Sequence, residues 1–296
     1  MYNQITSNKR RTVGLMIIFI AVILALGWFF GQINGGGYSG LIIAAIISFV
    51  MTFFSYYAGD KVALATSGAK EVKKTDNPYL FRMVENLCIA SGIPTPKVYI
   101  ISDPTINAFA TGRDPNHASI AVTEGAIQKL QNEELEGVIA HELSHVKNYD
   151  IRLMTIVIVL VGIIVLIANW LFRFNFFHKN DSRENNGLGT FIIIAGIVLA
   201  ILSPIFAELI KLAVSRRREY LADASAALLT RYPEGLAKAL EKISTENNRP
   251  LKNANAATAH LYISNPFGKS KKMFSNFFST HPPINERITE LRKMAI

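Results

Sequence analysis

The sequence predicts an α+β integral membrane protein in which four transmembrane helices carry a mainly helical cytoplasmic domain with a small β-sheet. Half of the 296 residues are hydrophobic and the mean hydropathy is positive, which makes the chain too apolar for an ordinary soluble protein. Four apolar runs are long enough to span a bilayer as helices of about 20 residues. The stretch between the second and third runs has the proline, glycine and alternating apolar pattern of a folded domain.

The apolar runs divide the chain into two helix pairs and two cytoplasmic parts. The runs are Val13–Phe30, Leu41–Tyr57, Ile151–Phe172 and Phe191–Val214. We therefore expect a first transmembrane pair at 1–59, a second at 151–214, and cytoplasmic parts at 60–150 and 215–296. Basic residues precede the first run as in a secretory signal, but its roughly 18 apolar residues exceed the usual apolar region of such signals. We expect this run to stay as an anchor.

The net charge of +9 is explained by the expected membrane topology. The basic residues cluster beside the ends of the runs, at Lys9, Arg10, Arg11, Lys61, Lys70, Lys73, Lys74, Arg216, Arg217 and Arg218. The positive-inside rule then predicts that both termini and residues 60–150 of this multi-pass protein are cytoplasmic. The charge thus indicates a lipid bilayer and no nucleic acid as partner, while the oligomeric state stays open.

After the second run, the pattern predicts a helix followed by strands. Asn77-Pro78 provide a helix start and Gly92 a helix stop. The single cysteine, Cys88, lies on the apolar stripe of this helix, so we expect it to pack in the core. Strands are predicted at Lys97–Ile101, Ile106–Ala110 and Ala118–Val122, and the last two form a hairpin with an edge.

The hairpin offers a candidate substrate-binding strand. An extended peptide could pair with the backbone of Asn107, Ala108, Phe109 and Ala110 as an added strand. An ordinary half-buried strand explains the same residues equally well.

The next helix contains the pattern H-E-x-x-H at His141, Glu142 and His145. The helix itself is predicted from apolar residues at helical spacing, which are Leu135, Val138, Ile139, Leu143 and Val146. Asn132 is expected to cap its N-terminus, and acidic residues in the first turn complement the helix dipole.

The spacing of these three polar residues is typical of a zinc metalloprotease. Histidines four positions apart face one side of a helix and can bind one tetrahedral metal ion. Glu142 then lies beside the metal, where it can take a proton from a water that zinc has made more acidic. Two structural histidines with a chance glutamate are the alternative, which roughly one chain of this length in a hundred would show. We therefore predict a zincin-like protease domain with one Zn²⁺ per chain.

The zinc helix ends a few residues before the third apolar run, so we expect it to lie close to the membrane surface. The fourth run contains Ser203-Pro204, which predicts a kink, and then Glu208 and Lys211. This charged pair either borders an aqueous chamber or lies where the bilayer ends, and we favour the second interpretation.

Helices are predicted for much of the remaining chain. The fourth run is expected to continue without a break through Arg216 into a helix that ends near Tyr232. Further helices are predicted at Pro233–Asn247 and Pro283–Met294. Between them, Phe267–Phe278 mixes lysines with phenylalanines, which suits an anionic bilayer surface, a mobile lid or a solvated loop with docked aromatic rings.

Several of these segments resemble a known family. They are His141-Glu142-Leu143-Ser144-His145, Arg216-Arg217-Arg218-Glu219-Tyr220-Leu221-Ala222-Asp223, Asn107-Ala108-Phe109-Ala110-Thr111-Gly112, and Thr280-His281-Pro282-Pro283 followed by Glu286-Arg287. Together they are similar to the HtpX membrane zinc metalloproteases, and the likeness covers nearly the whole chain. The resemblance implies a bacterial plasma-membrane endopeptidase with a cytoplasmic active site, related to the CAAX prenyl proteases. It also implies a part in the quality control of misfolded or unassembled membrane proteins.

The resemblance assigns roles to individual residues. They are zinc ligands at His141, His145 and Glu219, a general base at Glu142, a hydrogen-bond partner of a ligand histidine at Asp223, and a possible transition-state stabiliser at His281. For Glu219 the residue chemistry agrees, because catalytic zinc uses three protein ligands and Asp223 lies four residues on, on the same helix face. The alternative is that Glu219 pairs with Arg216 on an exposed helix surface.

Two other functions stay open at this point. A non-catalytic membrane scaffold could keep zinc for structure, but such sites have four protein ligands and no use for a base such as Glu142. A CAAX-type prenyl-peptide protease would share the mechanism and differ in its substrate.

Overall fold

The computed structural model describes residues 2–33, 35–160, 162, 215–246, 249–255, 257–268 and 282–294. Its elements are, in chain order, α1 (Tyr2–Ile33), α2 (Ser39–Ser67), β1 (Ala69–Glu71), α3 (Pro78–Ser91), β2 (Lys97–Ile101), β3 (Ala108–Gly112), β4 (Ala118–Thr123), α4 (Glu124–Lys129), α5 (Asn132–Lys147), α6 (residues 150–160), α7 (Arg216–Thr230), α8 (Pro233–Glu246) and α9 (Ile284–Lys293). The protein is mainly helical with a small mixed sheet, as the sequence predicts.

The first two helices, α1 and α2, pack against each other and are candidate membrane helices. Stretches at Ile5–Phe29 and Ser39–Ser67 are long and apolar enough to cross a bilayer, and only 17% of an apolar 18-residue window in each is buried inside the protein. Large apolar side chains such as Ile17, Ile46 and Phe49 are exposed, as expected of a surface that faces lipid. The first two predicted spans lie inside these helices.

Of the third predicted span only the beginning lies within the described residues, and the fourth lies wholly outside them. α6 starts the third span, and its side chains from Leu153 to Leu160 are buried by other parts of the protein. Residues 163–214, which hold the fourth span with Glu208 and Lys211, lie outside the described residues. Four transmembrane helices thus stay a prediction.

The sheet has the strand order β1-β2-β4-β3. β1 pairs antiparallel with β2, β2 parallel with β4, and β4 antiparallel with β3. The predicted hairpin is confirmed as β3 and β4, and β3 lies at an edge of the sheet. The short strand β1 was not predicted from the sequence.

The sheet separates two apolar cores. Val98, Ile120 and Val122 point to one face and pack with α3, α5, α7 and α8. Alternating with them, Phe109 and Ala121 point to the other face and pack with α1, α2 and α6. This period of two is the pattern expected of a sheet covered on both sides. The sheet therefore connects the membrane helices to the helices that carry the polar motif.

The predicted helix boundaries are mostly confirmed, with two corrections. The Asn77 side chain caps α3 by accepting from the Leu80 N–H, and Gly92 ends it with φ 70°. The residue before α5 is Gln131, whose N–H donates to the Glu134 carboxylate at 2.8 Å, so the prediction of Asn132 as the cap was wrong. Ser215 is extended and α7 begins at Arg216, so the predicted unbroken helix was wrong, because an extended residue interrupts the helical backbone there.

α5 lies against α7 and α8. The approach to α8 is close at Gly137, where an added Cβ would lie 2.8 Å from the backbone nitrogen of Leu236. Only glycine fits so near another backbone. On the other side, α9 packs on α7 and α8. The motif helix is consequently held within the protein interior.

Candidate active site

The H-E-x-x-H residues lie on α5, whose apolar stripe is buried as predicted. His141 is 1% exposed, Glu142 2% and His145 4%. The packing of the stripe prevents rotation of the helix, so both imidazoles keep one direction.

Glu219 from α7 meets the two histidines. The Nε2 atoms of His141 and His145 are 3.3 Å apart. The Glu219 carboxylate lies 3.7 Å from Nε2 of His141 and 3.5 Å from Nε2 of His145. These three residues can offer ligand atoms that all lie within 4.8 Å of one another. The structure therefore brings together the three residues that the sequence analysis selected as ligands.

The three groups fit a metal ion. Nδ1 of His141 faces Asp223 at 2.9 Å, and Nδ1 of His145 faces Asp150 at 3.0 Å. Rings that donate Nδ1–H to carboxylates turn their Nε2 lone pairs toward each other, which is favourable only with a cation or proton between them. Ligand atoms about 2.0–2.1 Å from a tetrahedral ion are roughly 3.3 Å apart, close to the spacing of the two nitrogens.

Burial and charge tune the acid–base groups. Burial, with the nearby Glu219 carboxylate, raises the pKa of Glu142 to about 7. Burial acts to lower the pKa of His145, but its hydrogen bond to Asp150 and the carboxylates of Glu219 and Glu142 raise it to about 9. Burial lowers the pKa of His141. A carboxyl group that titrates near neutrality is suited to accept and return a proton.

Three comparisons with known proteins agree with this geometry. Residues 74–295 match the model of peptidase family M48. The chain belongs to peptidase family M48. It is 48% identical to a protease HtpX homolog of Dictyoglomus thermophilum, over 99% of this chain and 94% of that one. It is 42% identical to a protease HtpX homolog of Caldanaerobacter subterraneus, over 100% of this chain and 98% of that one.

A solved structure resembles the M48 chain over most of its length. It is Ste24p from S. mikatae, with a TM-score of 0.51, 18% sequence identity and coverage of 98% of this chain and 67% of that one. At this identity the likeness concerns the fold alone. Together with the HtpX relatives, the two apolar helices and the His-His-Glu cluster, the family identifies this M48 protein as a membrane metalloprotease.

The M48 site contains a buried arginine to which the sequence analysis gave no role. Arg287 of α9 is fully buried and donates to both oxygens of Asp223, at 2.8 Å from Nε and 2.7 Å from Nη2. Its Nη1 lies 3.7 Å from Glu219. Burial opposes the charged form, but the Asp223 carboxylate outweighs this and raises the pKa of Arg287. The sequence does indicate that Arg287 is buried, because it lies on the apolar stripe of α9 with Ile284, Ile288 and Leu291.

The predicted substrate strand is more buried than expected. Asn107, Ala108, Phe109 and Ala110 are each at most 2% exposed, so the strand is fully buried and not half-buried, because both faces of the sheet are covered. An ordinary structural strand and a substrate-binding strand both stay open. Part of the edge is also covered, because the Ala108 carbonyl accepts from the Ile263 N–H at 3.1 Å. Next to it, the backbone N–H of Ala110 hydrogen-bonds the Glu142 carboxylate.

Two further predictions fall outside the part of the chain that the structure describes. His281 is one, and most of Phe267–Phe278 is the other. The roles assigned to them stay predictions.

Proposed function

We propose that the protein is a zinc-dependent endopeptidase in which His141, His145 and Glu219 hold the metal and Glu142 is the general base. The observation that carries the proposal is the convergence of these ligand atoms around one point beside Glu142. Glu219 is 1% exposed whereas Arg216 is exposed, which supports the ligand role over the alternative surface pair.

The donor set favours zinc. Two imidazole nitrogens and one carboxylate are an established set for catalytic zinc, which keeps its fourth position open. A zinc ion bound there supplies Lewis-acid chemistry, since it acidifies water and polarises the scissile carbonyl. A structural zinc would have four protein ligands. Among the described residues, the metal-binding group has three members, which supports the enzyme over the scaffold.

Glu142 moves the protons of the reaction. Its carboxylate accepts a proton from the attacking water and then delivers it to the leaving amine, and two peptides result. A pKa near 7 lets one group do both at neutral pH. Asp223 and Asp150 accept the Nδ1 hydrogen bonds of the two histidines, which keeps Nε2 of each ring available to the metal.

The substrate binds by strand pairing at the edge of β3. The Ala108 carbonyl already accepts from Ile263 and the Ala110 N–H hydrogen-bonds Glu142, so a peptide pairs mainly at the Ala110 carbonyl. Backbone pairing recognises an extended chain with little dependence on its side chains, so unfolded substrates are preferred and specificity is broad. His281 acts as transition-state stabiliser, a role that the family resemblance suggests.

The physiological substrates are misfolded or unassembled proteins of a bacterial plasma membrane, cut on the cytoplasmic side. This part of the proposal is supported by the HtpX relatives, by the basic residues beside the span ends, and by α6, which begins within a few residues of His145. A CAAX-type prenyl-peptide protease would have the same metal centre and require a prenylated substrate.

Metal analysis combined with casein cleavage tests the proposal. We expect the purified protein to contain one zinc per chain, to cut casein, to lose both properties on chelation, and to recover them with added zinc. Cleavage that persists in the fully metal-free protein would contradict the mechanism. Zinc bound at this site without cleavage of any peptide would support the scaffold instead.

A further inference from the structure

The beginning of α1 contacts the metal centre, although α1 is a candidate membrane helix. The Asn8 side chain is 2% exposed, and its amide donates to Oδ1 of Asp150 at 2.7 Å and to the Asn148 carbonyl at 2.9 Å. The second oxygen of Asp150 lies 3.0 Å from Nδ1 of His145. Polar contacts therefore lead without interruption from α1 to a ligand histidine.

The turn that carries Asp150 is an unfavourable one. Tyr149, just before it, has φ 60°, in the left-handed region that residues with a bulky side chain rarely adopt. Lys9 lies over the ring of Tyr149, with Nζ 4.5 Å from the ring centroid. Two successive residues of α1, Asn8 and Lys9, thus contact the turn between α5 and α6. Their contacts help to keep Asp150 beneath His145.

An amide suits the position of Asn8 because it donates and accepts. Its nitrogen donates to Asp150 while its Oδ1 lies 3.4 Å from Nη1 of Arg218. The same Nη1 lies 3.5 Å from Oδ1 of Asp150. Arg218 belongs to α7 and is next to Glu219, so three elements that hold the metal centre meet at Asn8. A leucine of similar size would make none of these polar contacts.

We propose that Asn8 is a positioning residue that orients Asp150, and through it the imidazole of His145, so that firm metal binding requires α1 to be docked. The inference rests on the proposed function, because it takes His145 as a metal ligand. A protein whose first membrane helix is not seated then binds its metal weakly. Docking of α1 and assembly of the metal centre are thus coupled through Asn8.

The test compares Asn8→Leu with Thr12→Val in the full chain, purified in detergent. Thr12 is also buried and lies one helical turn further on α1, and its hydroxyl donates to the Asn8 carbonyl. Zinc affinity is measured by competition with a chromophoric chelator, and the unfolding midpoint is measured on metal-free protein. We expect Asn8→Leu to bind zinc about 10–100-fold more weakly, together with a lower metal-free midpoint, because buried hydrogen bonds are lost. Thr12→Val should keep the parent's affinity.

A double-mutant cycle tests whether Asn8 acts through Asp150. In an Asp150→Asn background, adding Asn8→Leu should cost no further affinity, because the residue through which it acts is already altered. A full additional loss in that background would overturn the inference, as would parental affinity in Asn8→Leu. A fall of the metal-free midpoint with unchanged zinc affinity would show that Asn8 contributes only to packing, and would also overturn the inference.

Two controls keep the outcomes distinct. If His145→Ala binds zinc as tightly as the parent, the proposed metal site itself is wrong. If His145→Ala loses zinc and Asn8→Leu does not, only the positioning role of Asn8 is wrong. Should Asn8→Leu fail to fold, Asn8→Ser gives the same test, since its short hydroxyl cannot reach Asp150 and Arg218 together.

Discussion

Arg287 and Asp223 form a doubly hydrogen-bonded ion pair in the interior of the protein, with donor–acceptor distances of 2.8 and 2.7 Å. Asp223 also lies 2.9 Å from Nδ1 of His141. The pair thus links the last described helix, α9, to a residue of the metal centre. Burial alone would raise the pKa of Asp223, but the Arg287 guanidinium outweighs it and lowers that pKa.

Removal of Arg287 should destabilise the protein strongly. Arg287→Ala leaves the Asp223 charge buried without its partner, which typically costs about 3–5 kcal/mol. Arg292→Ala is the matched control, because Arg292 lies on the same helix and pairs with Glu234 at the exposed surface. Denaturant unfolding of both variants measures the difference. Equal and small effects would show that the buried pair contributes little to the fold.

Glu142→Gln should abolish proteolysis while zinc stays bound. The amide keeps the shape of the side chain but cannot take a proton, so both proton transfers are lost and turnover falls by several orders of magnitude. His145→Ala is the companion variant and should lose zinc as well. Casein cleavage and metal content are measured on the same samples. Unchanged turnover of Glu142→Gln would rule out this residue as the base.

Glu219→Ala and Asp223→Asn should differ in how strongly they weaken zinc binding and activity. Glu219→Ala removes a metal ligand, so zinc retention and activity should fall together. Asp223→Asn keeps all three proposed ligands but weakens the hydrogen bond to His141 and the ion pair with Arg287. Loss of such a partner of a ligand histidine typically costs about 10–100-fold in affinity or activity. Zinc titration of the metal-free variants measures both effects. Full zinc occupancy and activity in Glu219→Ala would assign the third ligand to another residue.

Cys88 should resist alkylation as long as the protein is folded. Its side chain is 1% exposed, and burial raises the pKa of the thiol to about 12. Because the thiolate is the reactive form, almost none is present at pH 8, and reactivity should appear only with unfolding. Mass spectrometry after iodoacetamide treatment, with and without denaturant, follows the label. Complete labelling of the native protein at pH 8 would contradict the packing of α3.

The cytoplasmic placement of residues 60–150 can be tested with Lys97→Cys. The Lys97 side chain is 65% exposed, and Cys88 gives little background. The positive-inside rule predicts no reaction with a membrane-impermeant maleimide in intact cells, and full reaction after permeabilisation. Ser67 is buried and is less suitable as a reporter position. Labelling of Lys97→Cys in intact cells would invert the topology.

Local sequence patterns were sufficient to predict much of the fold and two of the three proposed ligands. The period of α5, the cap at Asn77 and the β3–β4 hairpin each depend on residues close together in the chain. The pattern His141, Glu142 and His145 is local as well. Glu219 is distant in sequence, and only the family resemblance with the need for a third ligand selected it.

The contacts that were not predicted join polar residues far apart in sequence. Asn8 and Asp150 are separated by most of α1, by the four helices α2 to α5 and by the whole sheet, and no periodicity relates them. Arg287 could have been noticed, because a charge on the apolar stripe of a helix is unfavourable without a partner. The apolar stripe of α9 does not, however, identify Asp223 as the partner of Arg287. The strand β1 is too short to give a signal of its own.

The side chains around the metal centre are spread along the chain from Asn8 to Arg287. During synthesis a ribosome adds about 5–20 residues per second, so several seconds separate the emergence of Glu219 from that of Arg287. Until then the histidine–carboxylate contacts lack the cation that neutralises Asp223. The cation that pairs with Asp223 is thus added only when nearly all of the described chain has been synthesised.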